Sequence, residues 1–234
     1  MLSRRLVASS SIFVFLIVLW LIQNSKFISA STLQSLIFMN NSSFGYSSYK
    51  AYALFYTIPF IFLFNYFFQF EKTYIVTRKS REKLYLTFIM NIFIVAFFFS
   101  MTHMVVNDLL SFLFMDRNLL IDSKYLTIGI LNMIVLVLYF LWIGILYRII
   151  YDISNSQSLS MFITYLIVGS IYFLELLLFP VNVWNPFKDL NVFQSLLENT
   201  ETMNDVLLSY VRQFVLGLIL YLVGSSIYLK KDII

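Results

Sequence analysis

The chain of 234 residues contains no cysteine, one histidine, three prolines and six glycines, none of the glycines clustered. Each shortage removes a class of chemistry. Without cysteine there is no disulfide, no thiolate metal site and no cysteine nucleophile. With His103 as the sole imidazole, a histidine-based metal cluster or a Ser-His-Asp triad needs unusual partners. No stretch has the form Gly-x-x-x-x-Gly-Lys-Ser/Thr, so the chain cannot hold ATP by a loop of that kind. Charge is scarce too: 12% of residues are charged, against about a quarter in an ordinary soluble domain.

What the chain does have is apolar surface. Hydrophobic residues make up 60% of it and aromatic residues 19%, a composition that points to an integral membrane protein. A helix needs roughly 20 mostly apolar residues to cross the hydrocarbon core. Six runs meet or approach that length: 6–22, 52–70, 84–106, 126–147, 159–179 and 214–229. They are apolar on every face, whereas the strands of a membrane barrel alternate over roughly ten residues. The expectation is therefore an all-α membrane protein, a single domain over 1–234 with six transmembrane helices.

Lys and Arg set the expected orientation, because positive loops stay in the cytoplasm. With the N-terminus inside, the cytoplasmic segments hold Arg4, Arg5, Lys72, Arg78, Lys79, Arg81, Lys83, Arg148, Lys230 and Lys231. The opposite side holds Lys26, Lys50, Arg117, Lys124, Lys188 and Arg212, together with most of the acids. Both termini are thus expected to be cytoplasmic. The first run follows a basic Ser3-Arg4-Arg5 but is longer than a signal-peptide core of 7 to 15 residues, and no small-x-small site follows directly. It is expected to be retained as a span.

The loops carry more information than their lengths. The outer loop after the first run is rich in Ser and Asn around a short apolar core, Leu33 to Met39. The last outer segment, 180–213, opens with Pro180, Trp184, Asn185 and Pro186 and continues through an amphipathic stretch at Val192, Phe193, Leu196 and Leu197. Both prolines break helix and the tryptophan suits an interface, so short re-entrant or interfacial helices are expected there. Within the spans two ionisable residues stand out as candidates for a substrate path or gate. Glu175 lies about one turn from the outer end of the fifth run, where an ionisable group is by default a functional hypothesis. His103 lies near the outer end of the third, with Asn107 and Asp108 one turn on.

Five of the sixteen Lys and Arg residues fall in the stretch EKTYIVTRKSREKL, residues 71–84. A basic anchor for anionic lipid accounts for the charges. It does not account for Tyr74, Ile75 and Val76 in their midst. On a helix Tyr74, Arg78 and Arg81 share a face and Arg78 and Glu82 are four apart, which reads as a shaped contact surface.

Six helices, a basic segment Glu-x-x-Tyr-Ile-Val-x-Arg-x-Ser-Arg-x-Lys between the second and third (Glu71 to Lys83), and an outer Asn-Pro-containing segment between the fifth and sixth together resemble the permease subunits of type-2 ABC exporters. The likeness is to the small Gram-positive permeases of lantibiotic or other antimicrobial-peptide export and immunity. It spans the chain, but residues 1–5 are too short for the amphipathic cytoplasmic helix with which many members begin. The resemblance implies that Glu71, Tyr74, Arg78, Lys79, Arg81 and Lys83 form a coupling segment that docks on a separate ATPase subunit. It also implies a second permease chain, identical or a sister, and a bacterial plasma membrane location. This chain would be a transport subunit and not an enzyme. It would bind no cofactor itself, with ATP and Mg on the partner, membrane lipid around it and no nucleic acid. The expected substrate is a hydrophobic or amphipathic peptide or a lipid-like molecule. Alternatives are a bacteriocin immunity or sensor protein and a secondary transporter, although Pro59 in the second run has no matching interruption elsewhere. An intramembrane protease of the abortive-infection type would want paired Glu and several His, for which Glu175 and His103 are a poor set.

Overall fold

Away from water an apolar run takes the form in which its own backbone satisfies every N–H and C=O, which is the helix. The computed structural model describes residues 2–28, 32–42, 45–68, 81–178 and 184–230, and among them it is helical without strands. In chain order come α1 (Leu2–Asn24) with a 3-10 turn Ser25–Phe27, and α2 (Leu33–Asn41). A π-helical turn, Ala51–Tyr56, then runs into α3 (Thr57–Phe68). There follow α4 (Arg81–Phe114), α5 (Arg117–Asp122), α6 (Tyr125–Ser154) and α7 (Gln157–Leu178). A 3-10 turn, Lys188–Asn191, leads to α8 (Val192–Leu197), and α9 (Met203–Lys230) completes the described chain. Glu71, Tyr74, Arg78 and Lys79 of the basic segment lie outside the described residues, as does Pro180.

The starts and stops have local causes. The Thr32 hydroxyl accepts from Ser35 N at 3.2 Å and opens α2, and the Asp116 carboxylate does the same for α5 through Asn118 N at 3.0 Å. At the start of α9 Asp205 Oδ2 accepts from both the backbone N–H and the hydroxyl of Thr202, at 2.8 and 2.7 Å. α6 ends where Asn155 turns left-handed, φ 54°, and its N–H bonds the Tyr151 carbonyl at 2.9 Å. Asparagine tolerates that conformation better than most residues.

Among the described residues five helices are long and apolar enough to cross a membrane: Ser9–Phe27, Arg81–Phe114, Tyr125–Ser154, Gln157–Glu175 and Met203–Lys230. The second apolar run appears as the shorter stretch Ala51–Phe67. Two helices outrun the hydropathy that announced them. α4 continues past Val106 to Phe114, and α9 begins at Met203, well before Phe214. The polar residues that end the apolar runs stay helical where protein takes them up: Asn107, Asp108 and Gln213 are buried, and Arg212 pairs with Asp189.

α6 is the axis of the bundle, packed by α4, α7, α8 and α9. Gly144 lets α4 come close: a Cβ there would meet Ile92 Cγ2 at 2.4 Å. Phe60, Phe99 and Phe140 join α3, α4 and α6 with ring centroids 4.8 to 5.6 Å apart. The outward faces stay apolar, with Phe62, Phe98, Leu177 and Leu222 exposed, as hydrocarbon rather than water requires.

Candidate functional site

Gly45 folds the chain back against the end of α2. A Cβ at this position would lie 2.3 Å from the Asn40 carbonyl oxygen, so only glycine permits the approach. The return brings Tyr46 N to the Met39 carbonyl at 3.3 Å and Ser47 N to that of Asn40 at 3.1 Å. Next comes the π turn. Thr57 Oγ1 donates to the Tyr52 carbonyl, five residues back, at 2.9 Å. The wider turn also relieves Pro59, which has no amide to give and whose ring crowds the carbonyl four residues earlier.

These two devices carry three tyrosines to His103 on α4. Tyr46 stacks on the imidazole at 4.3 Å and 13°, while Tyr56 and Tyr52 meet it edge-on at 4.9 and 5.4 Å. His103 Nε2 donates to the Tyr46 carbonyl and the Tyr46 hydroxyl donates to that of His103, each at 3.4 Å. The ring is buried, enclosed by aromatic faces. Burial, and after it the neighbouring Tyr52, Tyr125 and Asp108, push the Tyr46 phenol well above its ordinary value, so it remains a neutral donor.

One turn along α4, Asn107 uses its whole amide. Its Oδ1 accepts from Trp20 Nε1 at 3.0 Å, and its Nδ2 donates to the Tyr125 hydroxyl at 2.8 Å and to Asn40 Oδ1 at 3.3 Å. Ser111, a further turn on, meets the same hydroxyl at 3.1 Å. The Asn24 amide, in the orientation that pairs donor with acceptor, accepts from Trp20 Nε1 and donates to the Met39 carbonyl, both at 3.0 Å. α1, α2, α4 and α6 are thereby tied by a buried polar layer.

Beside it the pairing stops. Asp108 is 7% exposed, and its carboxylate lies over Gly129 of α6, where a Cβ would be 3.1 Å from Oδ1 and 3.2 Å from Oδ2. Asn132, 3% exposed and one turn further along α6, gives its Nδ2 to the Tyr52 hydroxyl at 2.9 Å. Asp108 Oδ1 and Asn132 Oδ1 are both buried acceptors without a hydrogen-bond partner among the described residues, and Ser100 Oγ, one turn before His103, is another unpartnered group.

The segment before α9 has its own anchor. Asp189, 1% exposed, accepts from Arg212 Nε at 2.9 Å, Trp184 Nε1 at 3.1 Å and Gln213 Nε2 at 3.3 Å. Gln213 also donates to the Pro186 carbonyl at 2.7 Å and accepts from Trp142 Nε1 at 2.9 Å. Asn185 caps the turn, its Oδ1 accepting from Phe187 N at 3.0 Å, and its Nδ2 reaches the Ile171 carbonyl of α7 at 3.3 Å. Trp184, Asn185 and Pro186 of the expected outer gate thus meet at one place.

Glu175 and His103 have different surroundings. Glu175, 5% exposed on α7, has Oε2 without a partner among the described residues. It is near enough to Tyr49 to add to the rise that burial causes in that phenol's pKa. At the far end of the bundle Arg81 Nη1 donates to the Leu229 carbonyl at 2.9 Å. There too Arg148 of α6 pairs with Asp152 at 3.0 Å and lies over the Phe88 ring at 3.9 Å and near Tyr228 at 5.6 Å. Lys83 sits on the exposed first turn of α4.

The third apolar run, 84–106, stops just short of Asp108, and neither Asn132 nor Gln213 stands out in the sequence. One signal was available. Ser100, His103, Asn107 and Ser111 recur every three or four residues, the spacing of a single helical stripe, and following it past Val106 extends α4 and buries Asp108. Among the described residues no three His, Cys, Asp or Glu side chains come together as a metal set. Comparison of the chain with models of known families, with curated proteins and with solved structures finds no match.

Proposed function

We propose that this chain is the membrane-embedded permease subunit of an ATP-driven exporter of the type-2 ABC kind, working in a bacterial plasma membrane. The observation that carries the reading is the basic segment 71–83, set between α3 and α4 of a helical membrane protein whose sequence has no phosphate loop. A separate ATPase, with its own ATP and Mg, docks on Glu71, Tyr74, Arg78, Lys79, Arg81 and Lys83, and a second permease chain completes the transporter. The hydrogen bond from Arg81 to the Leu229 carbonyl supports a route by which force on the segment reaches α9 as well as α4. Around Arg148 the same end joins α4, α6 and α9 through one guanidinium. Substrate is a hydrophobic or amphipathic peptide or lipid-like molecule. Its path runs by Glu175 and His103, beneath an outer gate built from Pro180, Trp184, Asn185 and Pro186.

Affinity purification in mild detergent tests this directly. The wild-type chain should bring down an ATPase carrying a Walker A loop, and the double variant Arg78→Glu, Arg81→Glu should lose it while inserting normally into membrane. A complex that survives both changes with its ATPase rate unaltered removes the coupling assignment. A second reading, a cation-coupled secondary transporter, is favoured by the buried Asp108 carboxylate, which has no cationic partner among the described residues. It predicts transport that follows an ion gradient and no co-purifying ATPase.

A further inference from the structure

A carboxylate taken out of water is costly to leave alone, and proteins compensate such groups with a cation or a full set of hydrogen bonds. Among the described residues Asp152 and Asp189 have that compensation in an ion pair. Asp108 has neither. It is buried where α4 meets α6, and Oδ1 has no donor among the described residues. The facing element adds a second unmet oxygen, since Asn132 has committed its amide nitrogen to Tyr52 and keeps Oδ1 unpaired. Tyr125, Gly129 and Asn132 recur at four- and three-residue spacing, so they line the α6 face that Asp108 meets. Gly129 makes the room. A methyl group there would press on both carboxylate oxygens.

We propose that this seam, between Asp108 on α4 and the Gly129–Asn132 turn of α6, is a binding site for a small monovalent metal cation of the sodium class. The donors decide the class. They are oxygens only, a carboxylate and an amide carbonyl, which suit hard cations and not the softer metals that take sulfur or imidazole. The nearest imidazole, His103, spends Nε2 on the Tyr46 carbonyl. One carboxylate balances one positive charge, and the aromatic wall of Tyr46, Tyr52 and Tyr125 adds none. The site lies wholly within this chain, so it stands whether or not an ATPase partner exists.

Thermal unfolding of the purified full-length chain in detergent tests it, with sodium chloride replaced by choline chloride at equal ionic strength and fixed pH. A ligand that binds the native state raises the midpoint as its concentration rises. Wild type should show that rise with sodium and not with choline. Asp108→Asn should abolish it, and Gly129→Ala, which keeps the carboxylate but fills the cradle, should weaken the apparent affinity at least about tenfold. Should Asp108→Asn fail to fold, Gly129→Ala carries the test alone. A wild-type midpoint that is equal in the two salts overturns the proposal, as does a sodium effect that survives in the variants. A midpoint that moves with pH and ignores sodium also overturns it, because the occupant is then a proton.

Discussion

At the scale of single residues, the molecule is most exacting where a glycine faces a bulky group. A Cβ on Gly224 of α9 would stand 2.1 Å from the Tyr85 hydroxyl and 2.9 Å from Ile149 Cγ1, so three helices meet at a point with no spare volume. Overpacking of this kind costs about 1–3 kcal/mol, and Gly224→Ala should lower stability by that much in a denaturation series in detergent. The Tyr85 hydroxyl is itself buried without a hydrogen-bond partner among the described residues. Removing an unsatisfied polar atom is close to neutral or favourable, so Tyr85→Phe should cost little alone and should recover part of the loss in the double variant. Recovery distinguishes a local clash from a general loosening of α9, for which the second change would do nothing. Glycine at this position could not be valued from sequence, because the worth of a missing Cβ depends on what stands opposite.

At the scale of elements, the short helices before α9 owe their position to one buried carboxylate. α8 has six residues, far below the roughly 12 to 15 that an isolated helix needs to persist in water. Its support is tertiary: Phe187, Leu190, Val192, Phe193 and Leu197 are buried, and Asp189 binds Arg212 of α9. Arg212→Ala leaves that carboxylate with Trp184 and Gln213 as donors and no opposite charge. The guanidinium is about one-third exposed, so water offsets part of the loss and global unfolding should change little. Amide exchange over residues 185–197 should instead quicken about tenfold relative to α6, the signature of local opening. Equal protection in the variant would mean that the apolar contacts alone hold the segment. Short helices in this segment were legible from its prolines and its amphipathic stretch. The partner on α9 was not, since Asp189 and Arg212 are far apart in sequence.

At the scale of the whole molecule, α6 sets the geometry. Its 30 residues span about 45 Å at 1.5 Å per residue, enough for a hydrocarbon core of about 30 Å together with both headgroup regions. Its two ends therefore belong on opposite sides. In the proposed orientation the α5–α6 connection is outside and the α6–α7 turn inside. The absence of cysteine makes this simple to check, because a single introduced thiol has no background. An impermeant maleimide applied to intact cells should label Asp122→Cys and spare Ser158→Cys, both at exposed positions. The opposite pattern would invert the charge-based orientation, and with it the placing of the basic segment on the ATPase side.

Helical class and membrane character were determined by composition and run length, because a bilayer leaves an apolar chain few ways to satisfy its backbone. The candidate site was only half legible. His103 and Glu175 were visible as rare ionisable groups in apolar company, and Trp184, Asn185 and Pro186 as breaks in pattern. Asp108 falls just beyond the third apolar run, since hydropathy counts its charge and cannot register that Gly129 stands opposite it. The tertiary structure decided which polar groups are satisfied. Trp20 with Asn107, Asp189 with Arg212 and Asn132 with Tyr52 are pairings between distant segments, made by packing and not by spacing, and the same packing leaves the oxygens of Asp108 and Asn132 unmet.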